Sequence, residues 1–423
     1  MKLLKLLLPA LSLAMFLCAV GIGTLRFFKG PLRPALLPVQ PGGPGKNSPA
    51  PRELLRVGLL CLAAGMLFQG GMLAWAMHAE PGIGLAGAAQ RLFGGSIDTP
   101  HYLDLAQYGY GAGEEFPQQY LMIVFFPLFP ALLRLLNPLG SMNWYLLGMA
   151  VQLPLFACAG AALWELTRRH LGRSAANWAP VFLLACPASF FFFAPMTESL
   201  FLVLSVVFVL LLEDGRWALC GLVGLLAGLC RAPGSLLCGM ALVFFAGLWL
   251  RGKQRPQAGW LLPILGPASG FGLYLLMNRV IYGNWFQFSI YQWEHWDQKT
   301  GFFPDTVAYL LDYVQLWWTT RPDNAIYLSL AGLVCVLVQL GLLFGASARL
   351  PVHQLAYGLA YTMFTCGVSW LISAPRYAAG LFCLPMALAA LCRRPWQKAL
   401  ALVLLLPCTA LYLSKFCRGG PIY

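Results

Sequence analysis

Charged residues are scarce in this chain: Asp, Glu, Lys and Arg make up only 10% of its 423 residues. A soluble domain carries roughly 25% charged residues, because its surface must face water. Since 59% of the residues are hydrophobic, most of this surface must face lipid instead. Alternating strands of about 10 residues, the pattern of a membrane β-barrel, are missing. The sequence therefore excludes a soluble protein and predicts an all-α, polytopic transmembrane helical bundle.

The basic residues are not clustered as in nucleic-acid-binding proteins, and the cysteines are not spaced as in redox or metal-binding motifs. The net charge is +13, but the lysines and arginines are scattered over short loops and form no basic face with aromatic platforms, so nucleic acid is not an expected partner. The 13 cysteines include no Cys-x-x-Cys pair. Most of them lie in apolar runs, where a buried thiol packs as a small hydrophobe, and they are predicted to be structural.

Apolar runs approaching the ~20 residues that cross a bilayer recur along the chain and predict about 12 spans. The candidate spans are residues 6–24, 57–77, 145–166, 177–195, 199–213, 216–231, 234–250, 259–281, 324–345, 352–372, 377–391 and 399–414. Residues 1–28 are predicted to form an extra N-terminal transmembrane anchor. Residues 29–53 are rich in proline and glycine and are predicted to be a disordered cytoplasmic linker. Residues 54–415 form the multi-pass membrane domain.

Segment 119–136 is apolar enough to cross the membrane, but Pro127 and Pro130 would break a straight helix. If this segment is re-entrant, the remaining loops divide into two groups on opposite sides. One group holds most of the lysines and arginines and few of the acidic residues. The positive-inside rule places that group in the cytoplasm. We therefore expect a re-entrant or interfacial segment 119–136 and a non-cytoplasmic polar face that contains Asp98.

A polar stretch between apolar runs begins with Asp98, followed three positions later by His101. Pro100 suits the first turn of a short helix, on which Asp98, His101 and Tyr108 would share one face. In a structural interpretation, Asp98 caps an interfacial helix whose tyrosines lie at the headgroup level. In a catalytic interpretation, Asp98 is a general base within reach of an attacking hydroxyl, and His101 orients the substrate or holds phosphate.

Three further charged residues lie near predicted span ends. Glu198 follows an aromatic run at 190–193. It either caps the next span or marks a functional site, because a carboxylate beside a membrane-embedded aromatic run is costly. Arg231 and Arg376 are either snorkelling anchors or bidentate partners of a lipid-linked phosphate.

The loop 282–323 combines aromatic rings with polar side chains, among them Asn284, Gln292 and Trp293. Some of the rings fit an aromatic belt at the membrane surface. Tryptophans interleaved with Gln, Glu and His also form a surface on which sugar rings can stack. The loop is therefore a candidate substrate-binding region.

Neither a nucleotide site nor a metal site is predicted. The glycine-rich stretch 221–228 is apolar and predicts close helix packing. His101, Glu198 and His295 could meet at a metal, but they do not have the spacing of a ligand set. No cofactor is therefore expected, and a divalent metal is not indicated.

Several of these motifs share their order and spacing with a known family. They are Asp98-x-x-His101-Tyr102 with Gly109-Tyr110, Phe-Phe-Pro-Leu-Phe-Pro at 125–130, Pro187-x-Ser189-Phe190 with Thr-Glu-Ser-Leu-Phe at 197–201, Gly283-Asn284 with Gln292-Trp293, and Arg376-Tyr377. Over roughly residues 90–390 the chain resembles the GPI mannosyltransferase 2 family (phosphatidylinositol-glycan class V type) and its bacterial relatives. It departs from that family at Ile97, where Trp is usual. It also departs at 231–234, where Arg-Ala-Pro-Gly stands in place of an Arg-x-Asn-Gly-like stretch. Residues 1–55 have no counterpart.

The resemblance implies a C-type glycosyltransferase architecture and a polytopic enzyme that takes mannose from a polyprenyl-phosphate carrier. Asp98 then holds the position of the catalytic acid, with His101 beside it, and Arg376 and Arg231 bind the donor phosphate. The expected substrate-binding residues are Glu198, Tyr102, Gln292, Trp293, Asn284 and Tyr377.

The expected function is that of an inverting mannosyltransferase. Asp98 would deprotonate an acceptor hydroxyl, which attacks the anomeric carbon, while positive charge stabilises the departing lipid phosphate. The expected partners are a polyprenyl-phosphate sugar donor, a glycolipid or glycan acceptor and membrane lipid. The expected location is a bacterial cell membrane with the active site facing outward, or the ER membrane with a luminal site in a eukaryote. The alternatives are a lipid-linked saccharide transporter or flippase, and a lipid-linked polysaccharide polymerase or ligase.

Overall fold

The computed structural model describes residues 2–30, 51–95, 97–111 and 119–423, without the side chains of Lys2, Gln119 and Tyr120. Most of the predicted linker, residues 31–50, lies outside the described residues. Within the described ranges the fold is all-α, and one isolated antiparallel bridge between Thr300 and Val368 is the only β pairing. The prediction of an all-α fold is confirmed.

The described part of the chain is organised as a series of helices. They are α1 (Lys2–Lys29), α2 (Pro51–Ala79), α3 (Leu85–Phe93), α4 (Thr99–Tyr108), α5 (Leu128–Leu136), α6 (Trp144–Leu171), α7 (Arg173–Ala176), α8 (Ala179–Leu184), α9 (Glu198–Glu213), α10 (Trp217–Cys230), α11 (Leu237–Leu250), α12 (Leu261–Tyr282), α13 (Gln287–Trp296), α14 (Phe303–Trp317), α15 (Pro322–Asn324), α16 (Ala331–Ala346), α17 (Val352–Cys366), α18 (Ala374–Ala379), α19 (Cys383–Leu391) and α20 (Pro395–Cys417). Turns of 3₁₀-helix lie at Gln119–Val124, Ser189–Phe193, Ala232–Leu236 and Ala258–Trp260, and a π-helical turn lies at Ala325–Leu330.

Seven helical segments within the described ranges are long and apolar enough to cross a membrane. They are Leu3–Lys29, Pro51–Ala79, Trp144–Leu171, Ala232–Leu250, Ala258–Tyr282, Pro322–Ala346 and Pro395–Cys417. Each corresponds to a span predicted from the sequence. The protein is therefore a multi-pass membrane protein, as predicted.

Two of the predicted spans are not continuous helices, and proline and glycine explain the breaks. In 177–195, α8 ends three residues before Pro187, and the 3₁₀ turn Ser189–Phe193 ends two residues before Pro195. Proline cannot donate the backbone hydrogen bond that would continue a helix. In 377–391, α18 ends at Ala379, Gly380 follows it, and α19 begins at Cys383. Neither of these two predicted spans is therefore one continuous helix.

Segment 119–136 contains no helix long enough to cross a bilayer. A 3₁₀ turn ends at Val124, and α5 has nine residues, or about 14 Å against the ~30 Å hydrocarbon core. Backbone carbonyls at the end of the 3₁₀ turn and directly after it accept hydrogen bonds from tyrosine side chains of the protein. Tyr274 Oη donates to the Ile123 carbonyl at 2.6 Å, and Tyr110 Oη donates to the Phe125 carbonyl at 2.7 Å. Such pairing is what irregular backbone in an apolar setting requires.

The N-terminal helix α1 packs against α14, α16 and α17. At one end Lys5 forms an ion pair with Asp312. At the other end Arg26 is buried and donates to the carbonyls of Ser347 and Leu350, the latter at 2.6 Å. Residues 2–29 are therefore joined to the bundle by specific polar contacts as well as by apolar packing.

The core beneath the polar face is aromatic. Phe190, Phe191, Phe192 and Phe193 are each exposed by 1% or less. They pack against α6 through Phe156 and against α20. Since this run directly precedes α9, its burial places the first residue of α9 at the edge of the apolar core.

Helices α10 and α12 make the closest helix contact, as the glycine-rich stretch 221–228 predicted. A Cβ atom added at Gly270 would clash with the Leu225 carbonyl oxygen, and one added at Gly224 would lie 2.7 Å from Pro267. Only glycine lets the two backbones approach this closely. The prediction of close helix packing is confirmed.

Gly270→Ala is expected to lower the free energy of unfolding by about 1–3 kcal/mol, because the added methyl group forces α10 and α12 apart. Thermal unfolding of the purified protein in detergent measures this change. Gly272→Ala is the matched control on the same helix, since nothing lies within 4 Å of its added Cβ. Equal stability of the two variants would contradict the packing argument.

Candidate functional site

A cavity of about 1170 Å³ lies where α4, α13, α18 and the ends of α10, α14 and α17 meet. The chain brings most of the sequence-predicted site residues to its wall, although they come from distant parts of the sequence. These are Asp98, His101, Tyr102, Arg231, Gln292, Trp293, Arg376 and Tyr377. Two predicted residues, Glu198 and Asn284, do not line it.

Asp98 occupies the position before α4, as Pro100 in the first turn predicted. Its side chain makes no capping hydrogen bond to the helix. Instead its Oδ2 accepts a hydrogen bond of 2.6 Å from Arg376 Nη1, while the carboxylate stays 32% exposed. The capping interpretation of Asp98 is therefore wrong, and the side chain is presented to the cavity.

Glu198 begins α9 and lies directly behind this pair, only 1% exposed. Its Oε1 accepts a hydrogen bond of 2.7 Å from Arg231 Nη1 and lies 3.5 Å from Arg376 Nε. The neighbouring Thr197 makes no capping contact through its side chain. Glu198 therefore bridges two guanidiniums from below and is not on the cavity wall.

The two arginines are held in place by aromatic rings. Arg376 Cζ lies 5.6 Å from the ring centres of Phe191 and Tyr377, and Arg231 Cζ lies 5.7 Å from that of Tyr377. Cation–π contacts of this kind hold a guanidinium in one orientation. Both arginines are 8% exposed, so the interpretation as snorkelling anchors is wrong.

Asp98, Arg376, Glu198 and Arg231 thus form one chain of alternating charge. Two buried cations are compensated by one buried and one half-exposed carboxylate. Buried charges persist only when they are paired in this way. The member that a ligand can reach most readily is Asp98.

Tyr102 lies one turn after Asp98 and is buried against Phe125 and Phe129. Burial, reinforced by the Asp98 and Glu198 carboxylates, raises the pKa of Tyr102 well above its ordinary value. The phenol is therefore a neutral hydrogen-bond donor next to the charged chain.

His101 contributes a second polar group to the same wall. Its ring stacks on Phe125 with centres 4.9 Å apart and planes inclined by 26°. The stack fixes the plane of the imidazole one turn away from Asp98. His101 is therefore positioned to contact a ligand that also reaches Asp98.

Asn284 has a local structural role. Its Oδ1 accepts a hydrogen bond of 3.0 Å from the Phe286 amide, which closes the turn before α13. Within the described part of the chain, no three side chains of metal-ligating type are grouped, and Glu198 and His295 do not join His101 on the cavity wall.

The structure adds residues to the wall that motif reasoning did not select. They are Gln298, Lys299, Trp317, Arg321 and Trp370. Loop 282–323 was singled out for its aromatic and polar composition, which covers all of these except Trp370. Their selection required the pairing of residues 297–301 with 367–370, a contact between segments about 70 residues apart.

The charges on the wall are unbalanced. Arg231, Arg376, Lys299 and Arg321 line the cavity, whereas Asp98 is the one acidic side chain that the described residues contribute to it. Clefts lined by one sign of charge concentrate ligands of the opposite sign. The cavity is therefore suited to an anionic ligand.

Comparison of the chain with models of known protein families, with curated protein sequences and with solved structures gives no match.

Proposed function

We propose that the protein is an inverting glycosyltransferase. It moves a hexosyl residue, mannose by the family resemblance, from a polyprenyl-phosphate carrier to a glycolipid or glycan acceptor. The observation that carries the proposal is the half-exposed carboxylate of Asp98, held by Arg376 on the wall of a cavity rich in cations. The site therefore combines a base with positive charge for a phosphate.

Asp98 is the group proposed to take the acceptor proton. The acceptor oxygen attacks the anomeric carbon, the bond from that carbon to the phosphate oxygen breaks, and the proton passes to Asp98. Because Arg376 contacts only one carboxylate oxygen in the hydrogen bond described, it orients the group without covering it. General bases placed within hydrogen-bond reach act in this manner.

The arginines are proposed to stabilise the lipid phosphate as it leaves. Preorganised charge is effective where negative charge develops, because it needs no reorganisation during the reaction. Glu198 and Tyr377 hold the two guanidiniums in place before a ligand arrives. Since the sugar arrives already activated on phosphate, no nucleotide site is needed.

The cavity volume of about 1170 Å³ exceeds the range of about 300–1,000 Å³ typical for one small ligand. Two substrates must meet in a transfer reaction, so this space suits the head group of a donor together with the end of an acceptor. Gln292 and Trp293 contribute polar and aromatic surface on the side supplied by α13.

We also propose the C-type glycosyltransferase architecture with about 12 crossings. The seven long helices account for part of that number. The remaining crossings are assigned to α9, α10 and α17, which have 14 to 16 residues, and to the interrupted segments 177–195 and 377–391. The charge distribution of the loops favours an active site on the non-cytoplasmic side, in a bacterial cell membrane or, in a eukaryote, in the ER lumen.

One observation favours a second candidate, a transporter or flippase for lipid-linked saccharides. The charged chain lies where helices are interrupted, because Glu198 follows the 3₁₀ turn Ser189–Phe193 by five residues and Arg376 lies in α18, which has only six residues. Transporters bind their substrates at discontinuous helices of this kind. A transporter would move the lipid-linked sugar intact, whereas a transferase would cleave it.

The decisive experiment reconstitutes the full chain in liposomes with radiolabelled polyprenyl-phosphate mannose and candidate glycolipid acceptors. The expected result is label in the acceptor and free polyprenyl phosphate in equal amounts. Labelled donor recovered intact in the opposite leaflet would support the transporter instead. Transfer that occurs only from a lipid diphosphate-linked oligosaccharide would indicate a polymerase or ligase.

Gln292→Ala is expected to raise the KM for acceptor several-fold, whereas Asn284→Ala is expected to change it by less than about twofold. Gln292 lines the cavity, but the Asn284 side chain only closes the turn before α13. Initial rates at varied acceptor concentration measure the difference. A larger effect at Asn284 would show that the turn, and not the cavity wall, governs binding.

A further inference from the structure

Building on the proposed function, we propose that the cavity contains a second, anion-selective saccharide subsite. It is formed by the tryptophan wall, meaning Trp293, Trp296, Trp317 and Trp370, together with Lys299 and Arg321. Its ligand is the acceptor, a glycan that carries a phosphate or carboxylate group. This subsite is separate from the Asp98–Arg376 pair and uses none of its residues.

The tryptophan wall is built by two segments joined through Ser369. The Lys299 amide donates to Ser369 Oγ at 2.7 Å, and the Ser369 amide donates to the Lys299 carbonyl at 2.9 Å. Ser369 Oγ in turn donates to the Asp297 carbonyl at 2.8 Å. Two residues further along, the Gly301 amide donates to the Gly367 carbonyl at 2.7 Å. These bonds fix the backbone that carries Trp296, Lys299 and Trp370.

Some rings of the tryptophan wall pack against other aromatic side chains, and others are exposed to the cavity. Trp370 packs edge-on against Tyr313 and Trp317, with ring centres 4.9 and 5.8 Å apart. Trp293 and Trp296 are 53% and 36% exposed. Covering a solvent-exposed aromatic ring with an apolar surface is favourable, because it removes both surfaces from water. The C–H face of a pyranose ring is such an apolar surface.

Two cations accompany the rings. Lys299 Nζ lies 4.8 Å from the centre of the Trp293 ring, so an ammonium and an aromatic face are offered together. Arg321 follows α14, which carries Trp317. In the described ranges neither cation forms an ion pair with a carboxylate, in contrast to Arg231 and Arg376. Their charge is therefore available to a ligand.

A neutral sugar would stack on the tryptophan rings but would leave Lys299 and Arg321 without an anionic partner. A saccharide bearing an anion satisfies both features, because charge-assisted hydrogen bonds are stronger than neutral ones. Phosphate and carboxylate groups share this chemistry. We therefore expect the acceptor to be an anionic glycan.

The test measures binding by isothermal titration calorimetry to the full chain in nanodiscs at physiological salt. The probes are mannobiose, its phosphate monoester and the corresponding uronate. The anionic probes are expected to bind at least about tenfold more tightly than mannobiose, the gain typical of a charge-assisted contact. Lys299→Gln combined with Arg321→Gln should remove that preference, and Trp293→Ala should weaken binding of all three probes.

Lys253→Gln combined with Arg255→Gln is the matched control, because these exposed cations lie outside the cavity. Equal affinity for neutral and anionic probes would overturn the subsite. So would an anion preference that survives in the Lys299/Arg321 variant, since it would then arise from Arg231 and Arg376. A preference for either phosphate or uronate alone supports the subsite and identifies the anion.

The result is independent of the proposed function, because no donor is present in the titration. Anion-selective binding without any transfer in the liposome experiment would leave the subsite standing and remove the transferase. Transfer to a neutral acceptor with no anion preference would remove the subsite alone.

Discussion

Asp98→Asn is expected to lower the rate of hexosyl transfer by about 10²–10⁴-fold, the contribution of a positioned general base. Asparagine keeps the shape of the side chain and can still meet Arg376 through its amide oxygen, but it cannot accept the acceptor proton. Initial rates with polyprenyl-phosphate mannose measure the loss. Binding of the donor should change far less than the rate.

Asp104→Asn is the matched control for this substitution. Asp104 lies on the same helix, is exposed and does not line the cavity. Its replacement is expected to leave the transfer rate within about twofold of the unchanged protein, the range of surface substitutions. An Asp98→Asn variant with undiminished transfer would remove the mechanism, whatever the effect at Asp104.

The second large effect is expected at Glu198, in stability as well as in activity. Glu198→Gln leaves Arg231 and Arg376 with only one carboxylate between them, in a region where Glu198 is 1% exposed. Removing one partner of a buried ion pair costs about 3–5 kcal/mol, because an uncompensated charge remains. Thermal unfolding of the purified variant should show that loss, and transfer should fall because the guanidiniums are no longer held in place.

A double-mutant cycle separates these two effects. Combining Glu198→Gln with Arg231→Met removes both charges and is expected to restore most of the stability lost in the single variants. Transfer should remain low, because a donor phosphate partner is missing. Strictly additive losses of stability would show that Glu198 and Arg231 are not energetically coupled, and recovered transfer would exclude a role for Arg231 in donor binding.

The position of Glu198 changes the role proposed for it. The sequence grouped it with the substrate-binding residues, because a carboxylate beside four phenylalanines suggested a functional site. The structure places it behind both arginines and outside the cavity. It is therefore proposed as a positioning residue that acts through Arg231 and Arg376.

The class of protein could be read from the sequence because hydrophobic composition and run length act locally. A bilayer of fixed thickness demands long apolar helices, and seven of the predicted spans meet that demand. The close packing of α10 against α12 was also predictable from local sequence, because the glycines that permit it are grouped within one segment, residues 221–228. Pro187 and Gly380, where the helices break, are visible in the sequence. The apolar residues around them nevertheless led to the prediction of a membrane span in each segment.

Composition and periodicity by themselves determined a helical, multi-pass membrane protein, and the motifs selected Asp98, His101, Arg231 and Arg376 as candidates. The contacts that those side chains make became known from the folded protein. Asp98 and Arg376 are 278 residues apart. Their neighbours in the chain were compatible with helix capping and snorkelling as well as with a general base and a phosphate-binding arginine. The packing of α4 and α18 around the aromatic core selected ion pairing, because a charge buried that deeply must meet an opposite charge.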